Sequence, residues 1–233
     1  MRSAIARVKN VQNLVDLFEE LRDRAPGIPG MAMIHGDTGA GKTTATNWLA
    51  VQKNAVFVRA TATWTPHTML TAIMRELEEL PLGSSAAMVE RISLRLGETQ
   101  RPIFVDEADY LLETTKLLDT LRDIHDLSTV PLILIGMADF RKRIITRKQV
   151  AGRISQWVEF KPADMEDART LATALCEVQI EDDLLEKFHR ETGGSMRVLT
   201  VALARAESYA KQRRFTSLSL ANVGKGEFTL GKA

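Results

Sequence analysis

Gly36-Asp-Thr-Gly-Ala-Gly-Lys-Thr43 is the stretch from which the rest of the chain can be read. Glycines at 36, 39 and 41 let the backbone turn sharply and come close to whatever it encloses. The spacing Gly-x-x-x-x-Gly-Lys-Thr allows consecutive backbone N–H groups to wrap a phosphate at the start of a helix, where the macrodipole favours negative charge. Lys42 is then expected to reach the outer phosphates and the Thr43 hydroxyl to join the shell of a magnesium ion. Asp37, Thr38, Ala40 and Thr44 complete the expected nucleotide-binding stretch. A glycine-rich turn that merely precedes a helix would carry similar residues, so the flanks decide.

Upstream, Met31-Ala-Met-Ile-His35 reads as a short buried strand; downstream, a helix is expected over 42–53. Strand, loop and helix therefore follow in the order a phosphate loop needs. Further upstream, Val8, Val11, Leu14, Val15, Phe18 and Leu21 recur at helical spacing, ended by Pro26-Gly27-Ile28-Pro29-Gly30. Further downstream, the apolar strands Ala55–Val58, Pro102–Val105, Pro131–Ile135 and Trp157–Phe160 alternate with helical patterns starting near Pro66, Ser85 and Leu117. Thr65-Pro66 supplies an N-cap and a proline at the first helical position. Such alternation predicts an α/β fold, a parallel sheet flanked by helices. After Pro162 three helical segments, about 164–178, 181–192 and 195–211, occur with no strand between them, which predicts a small all-helical lid. The expected division is 1–162 for the α/β domain with its N-terminal helix, 163–223 for the lid, and a frayed tail at 224–233.

Composition is consistent with one main core. The 233 residues are 45% hydrophobic and 26% charged, the balance of a globular protein. The formal charge of +1 exerts no global pull on nucleic acid or membranes, so any polyanion site must be a local patch. The single cysteine, Cys176, excludes an internal disulfide and reads as a buried thiol; the four histidines show no zinc-ligand spacing with it. No stretch approaches the ~18 apolar residues of a membrane span, and Met1–Arg7 lacks a signal-peptide core, so no membrane partner and a cytoplasmic location are expected.

Asp106 ends the strand Ile103-Phe-Val105, which puts its carboxylate at the C-terminal edge of the sheet, suited to magnesium. Glu107 follows and could polarise a water for in-line attack on a γ-phosphate. Carboxylates after a strand are common on surfaces; it is the upstream loop that gives this pair meaning. Kinases share such loops, so phosphoryl transfer to a small acceptor stays open as an alternative. What distinguishes them lies downstream: Arg153 stands before the last strand, and Gly193-Gly-Ser-Met-Arg197 opens a lid helix. Both features resemble the AAA+ ATPases, and by that resemblance Arg153 is a trans arginine finger and Arg197 a second sensor. The alternative for each is a surface charge at a helix end.

Several stretches resemble a narrower group, the AAA+ ATPases of DNA transposition typified by the phage Mu B protein and transposon target-selection ATPases. They are Arg7–Val11, Gly36–Thr44, Val58-Arg-Ala-Thr-Ala-Thr-Trp-Thr-Pro66, Val105–Tyr110, Leu121-Arg-Asp-Ile-His-Asp126 and Pro131–Met137. The resemblance implies ATP and Mg2+ as cofactors, with Asn10 among the ATP-binding residues. It also implies a helical filament of this chain on double-stranded DNA, offered to a transposase that stimulates hydrolysis. Other DNA-loading switches of the AAA+ class, helicase loaders or replication initiators, are the nearest alternative. The chain departs from the pattern where the fourth strand ends Ile135-Gly136-Met137, without a polar first-sensor side chain; Asp139 is the nearest candidate. Only about thirty residues precede the phosphate loop, fewer than in relatives with an N-terminal partner-binding segment.

DNA contacts need their own residues. Phe140–Val158 holds Arg141, Lys142, Arg143, Arg147, Lys148 and Arg153 without one Asp or Glu; Lys211, Arg213 and Arg214 form a second cluster. A solvated helix face plus a subunit interface is the competing reading of 141–148. Arg59, Thr61, Thr63 and Trp64 face DNA by resemblance; strand-end and capping chemistry is their alternative.

Overall fold

The computed structural model describes residues 1–223; the tail expected to fray, 224–233, lies outside the described residues. In chain order the elements are α1 (Lys9–Arg22), β1 (Met31–Gly36), α2 (Lys42–Gln52), β2 (Val56–Arg59), α3 (Pro66–Glu76), α4 (Ser85–Thr99), β3 (Ile103–Asp106), α5 (Thr115–Ser128) and β4 (Leu132–Gly136). There follow α6 (Phe140–Ile145), α7 (Lys148–Ala151), β5 (Ile154–Phe160), α8 (Met165–Leu175), β6 (Gln179–Ile180), α9 (Asp182–Thr192), α10 (Met196–Gln212) and β7 (Ser217–Leu218). They fall into two compact units. One holds Leu14–Gly36 and Lys42–Glu159; the other holds Met1–Asn13, Asp37–Gly41 and the chain from Phe160 onward.

The first unit is the expected α/β fold, built on a five-stranded sheet of order β2-β3-β4-β1-β5. β1 pairs with β4, β4 with β3 and β3 with β2, all parallel. The central strands are buried on both faces, which is why they read as unbroken apolar runs rather than alternating ones. Met31, Met33, Ile103, Val105, Leu132 and Leu134 share one cluster with Ile73 of α3, Ile92 of α4 and Leu121 of α5. On β3 the intervening Phe104 stacks on Phe18 of α1, ring centroids 6.3 Å apart. β5, at the sheet edge, starts at Ile154, three residues earlier than its sequence suggested. Its burial is mixed, and only Ile154 and Phe160 are fully buried.

α3 starts as expected. Thr65 Oγ1 accepts from the Thr68 N–H at 3.2 Å, Thr68 Oγ1 accepts from the Thr65 N–H at 2.8 Å, and Pro66 occupies the first turn. α5 ends on Thr129 in the left-handed region, φ 61°, and His125 Nδ1 lies 2.8 Å from the Val130 carbonyl oxygen, bracing the turn into β4. Buried and desolvated, His125 titrates below the ordinary histidine range, so it is neutral at pH 7.

In the second unit α8, α9 and α10 pack on one another around Leu171, Leu184, Phe188, Leu199 and Leu203. α8 opens on a capping box between Asp164 and Asp167. The absence of strands expected after Pro162 needs correction: β6 and β7 form a two-residue parallel pair, Gln179 opposite Ser217 and Ile180 opposite Leu218. α9 ends on Gly193 and Gly194, both with positive φ, and a side chain at 194 would lie 2.5 Å from the Ala163 carbonyl oxygen. Cys176 is buried here as expected, and desolvation pushes its thiol up to about 11. Among the described residues no helix is long and apolar enough to cross a membrane.

Candidate nucleotide site

The phosphate loop runs from the end of β1 to the start of α2. Gly39 and Gly41 adopt φ of +85° and +88°, the left-handed region in which a side chain is strained. A Cβ at Gly39 would also come within 2.6 Å of Ser195 Oγ, so that hydroxyl would have to rotate away.

In the α/β unit the loop's two ends meet the sheet chemistry. Lys42 Nζ donates to the Gly36 carbonyl at 2.6 Å, arching over the loop. Thr43 Oγ1 donates to Asp106 Oδ2 at 3.0 Å, and Asp106 is only 3% exposed. A hydroxyl beside a carboxylate at the carboxyl end of a strand is a hard oxygen pair of the kind that suits Mg2+, which takes few protein ligands and completes its shell with phosphate and water. The residues present therefore fit a magnesium ion carried with a nucleotide. Among the described residues no cluster of three or more His, Cys, Asp or Glu is placed to hold a metal by itself.

Glu107 takes φ 53° and ψ 37°, a left-handed residue capping the short 3-10 turn Ala108–Leu112. Its carboxylate accepts from Arg59 Nη2 at 2.9 Å. The contact follows from register: β2 and β3 run side by side with Arg59 opposite Asp106, so the residue after Asp106 comes within reach of a long side chain at the end of β2. Arg59 was expected at DNA; in this structure it is bound to the candidate base. Thr61 and Thr63 are exposed neighbours, their hydroxyls 3.2 Å apart, while Trp64 packs against the core.

The expected first-sensor position is closed sterically. A Cβ on Gly136 would overlap the Phe140 ring and stand 2.8 Å from Asp109 Oδ2, and Asp109 Oδ2 accepts from the Met137 N–H at 2.8 Å. Asp109 thus fills the end of β4 from the neighbouring turn, and its partial burial raises its pKa. Asp139 instead lies exposed at the start of α6, paired with Lys142 at 3.0 Å.

In the helical unit, Asp37–Gly41 sits with residues far away in sequence. The Arg197 N–H donates to the Gly39 carbonyl at 3.1 Å, which ties the start of α10 to the loop while the Arg197 side chain is exposed. Asn10 is 7% exposed, and its amide grips the Lys161 backbone, donating to its carbonyl at 2.8 Å and accepting from its N–H at 3.2 Å. The same Nδ2 lies 3.5 Å from the Ala40 carbonyl oxygen. Asn10 thus acts on the loop's backbone, a bracing role that its sequence position did not disclose. Asp37, Thr38 and Thr44 are exposed, and Ala40 is buried.

The basic residues disperse. Arg153 forms a two-point pair with Asp126, Nε to Oδ1 at 2.9 Å and Nη2 to Oδ2 at 3.0 Å. Arg141 lies over the Trp157 ring at 5.7 Å, Lys142 is paired as above, and Arg143 and Lys148 are exposed on the same stretch. Of the second cluster, Lys211 bonds Glu177 and Glu207 at 2.8 Å, and Arg213 stacks on Tyr209 at 3.6 Å.

Among known proteins, the model of the AAA domain matches residues 28–144, half of the chain. A search of curated proteins found no significant match. Solved structures share the fold. The Cdc6p protein of Pyrobaculum aerophilum aligns with TM-score 0.64 and 19% identity, over 93% of this chain and 66% of that one. The ORC2 protein of Aeropyrum pernix, in complexes with ADPNP and ADP, gives TM-score 0.70 and 18% identity over 94% and 68%. The ORC1 protein of Aeropyrum pernix in complex with DNA gives 0.62 and 20% over 93% and 63%. The chain thus spans about two thirds of the length of these structures.

Proposed function

Because the chain belongs to the AAA domain family, we propose that it binds Mg-ATP and hydrolyses it to ADP and phosphate as an assembly-dependent switch on double-stranded DNA. The observation that carries the nucleotide chemistry is the 3.0 Å contact of Thr43 with buried Asp106, in a sequence whose preceding glycines, Gly39 and Gly41, take positive φ. Thr43 and Asp106 would hold the Mg2+, which supplies neutralising charge on the phosphates. Lys42 leaves the Gly36 carbonyl to carry phosphate charge. Glu107 takes the proton of the attacking water, for which its carboxylate must turn from Arg59. Arg153, at the edge of the sheet, completes the site of a neighbouring subunit, and Arg197 senses the γ-phosphate from the start of α10.

The finer reading is a helical filament on DNA that delivers a target to a transposase. It is supported by the run 58–66, by Leu121–Asp126, and by the exposed Arg141, Arg143 and Lys148 in a stretch of sequence without Asp or Glu. One further observation favours a second reading: the fold is shared with Cdc6p and ORC structures, one solved with DNA, which supports an initiator-type switch. Imaging the protein by negative stain with duplex DNA, in ATP and in ADP, separates them. Continuous filaments formed with ATP alone are expected; discrete closed assemblies favour the initiator reading. Transfer of phosphate to an added nucleoside would replace both with a kinase.

A further inference from the structure

Leu121-Arg-Asp-Ile-His-Asp126 is a distinctive run that nucleotide chemistry leaves unexplained. In α5 the residues Leu118, Arg122 and Asp126 recur every four positions, so they line one face of the helix. That face runs along the segment leading to Arg153. Leu118 lines a cavity with Val150, Arg122 Nη1 donates to Gln149 Oε1 at 2.9 Å, and Asp126 takes the Arg153 guanidinium. The backbone of Arg153 is fixed independently: its N–H donates to the Val150 carbonyl at 2.9 Å, and its carbonyl accepts from the Met31 N–H at 3.1 Å. Only the direction of the side chain is left to choose, and Asp126 chooses it.

The Arg153 and Asp126 side chains are 46% and 37% exposed, and a pair so open to water adds little to stability. Its two-point geometry does something else, fixing the plane of the guanidinium. Arginine carries five N–H donors, of which this pair engages two, so the remaining edge stays available to an anion. Proximity to Arg153 holds the Asp126 carboxyl below the usual carboxylate range, keeping it ionised at neutral pH. His125, buried one residue before, anchors the end of α5 from which Asp126 projects.

We propose that Asp126 is a positioning residue for Arg153, holding the guanidinium aimed outward for the phosphates of a neighbouring subunit's nucleotide. The inference rests on the reading of Arg153 as a residue that acts across subunits. Asp126 does not touch nucleotide; it keeps a flexible side chain pre-oriented, so less freedom is lost when subunits meet.

The test is a double-mutant cycle on the full chain, with steady-state ATPase measured at saturating protein and duplex DNA. Asp126→Asn is expected to lower turnover by about ten- to hundredfold, the range that a misplaced group costs, with the KM for ATP unchanged. In an Arg153→Ala background the same substitution is expected to do nothing more. Wild-type turnover in Asp126→Asn, or an equal loss with and without Arg153, overturns the positioning role. If Arg153→Ala alone leaves assembled turnover intact, the cross-subunit site itself fails, and the proposal with it.

Discussion

The roles proposed for Lys42 and Glu107 fall on different parts of one reaction, so their loss should leave different deficits. In the proposed mechanism Lys42 neutralises phosphate charge already present in bound ATP, whereas Glu107 acts on the water only as the bond is made. Lys42→Ala should therefore lose tight binding in a titration with fluorescent ATP. Glu107→Gln should keep binding while phosphate release drops by about 10²–10⁴-fold, the usual contribution of a general base. Equal turnover in wild type and Glu107→Gln would refute the assignment. Arg59 enters at this scale too. While Arg59 Nη2 donates to Glu107 Oε1 at 2.9 Å, one oxygen of the carboxylate is committed to a guanidinium. Arg59→Ala is expected to raise turnover without DNA several-fold, and an unchanged rate would mean that the pair does not restrain the base.

Elements differ in how much of their construction shows in local sequence. Thr65-Pro66 announced the start of α3, and the capping box is present, so Thr65→Ala should cost about 1 kcal/mol in urea unfolding while ATP binding is kept. No loss of stability would mean that Thr68 and Pro66 suffice. Gly136→Ala should cost about 1–3 kcal/mol, because the added methyl meets the Phe140 ring in a packed interior. The loop between β1 and α2, the buried strands and the place of Asp106 at the end of β3 were legible because each is fixed by local pattern. Arg59 beside Glu107 was not, since it depends on the β2–β3 register, and neither was Asn10 on Lys161, 151 positions further along the chain. The pair β6–β7 was invisible because two residues carry no periodicity, and β5 was read short because an edge strand mixes buried and exposed positions.

For the whole molecule the formal charge of +1 matters, because under the proposed function DNA would have to be held by local groups and by numbers of subunits. If each subunit offers one or two phosphate contacts, a single copy binds weakly, while copies stacked head to tail add theirs. A heterologous interface of this kind can extend into a helix. Binding to duplex should then be cooperative, dependent on ATP, indifferent to base sequence and steeply weakened by salt. Fluorescence anisotropy across salt concentrations, with ATP, ADP or no nucleotide, tests this; equal, non-cooperative binding in all three states would sink the filament. Such assembly could be followed optically because of Cys176. The chain has one thiol, and burial raises its pKa to about 11, so in the folded state it stays protonated where ordinary thiols have begun to ionise. Between pH 9 and 11 the unfolded chain loses that proton first, so stability declines as pH rises through this window. At neutral pH, maleimide should label the native protein slowly and the urea-unfolded protein fast. A cysteine introduced on an exposed face would then take a dye almost alone, so the wild-type chain supplies its own blank for fluorescence work.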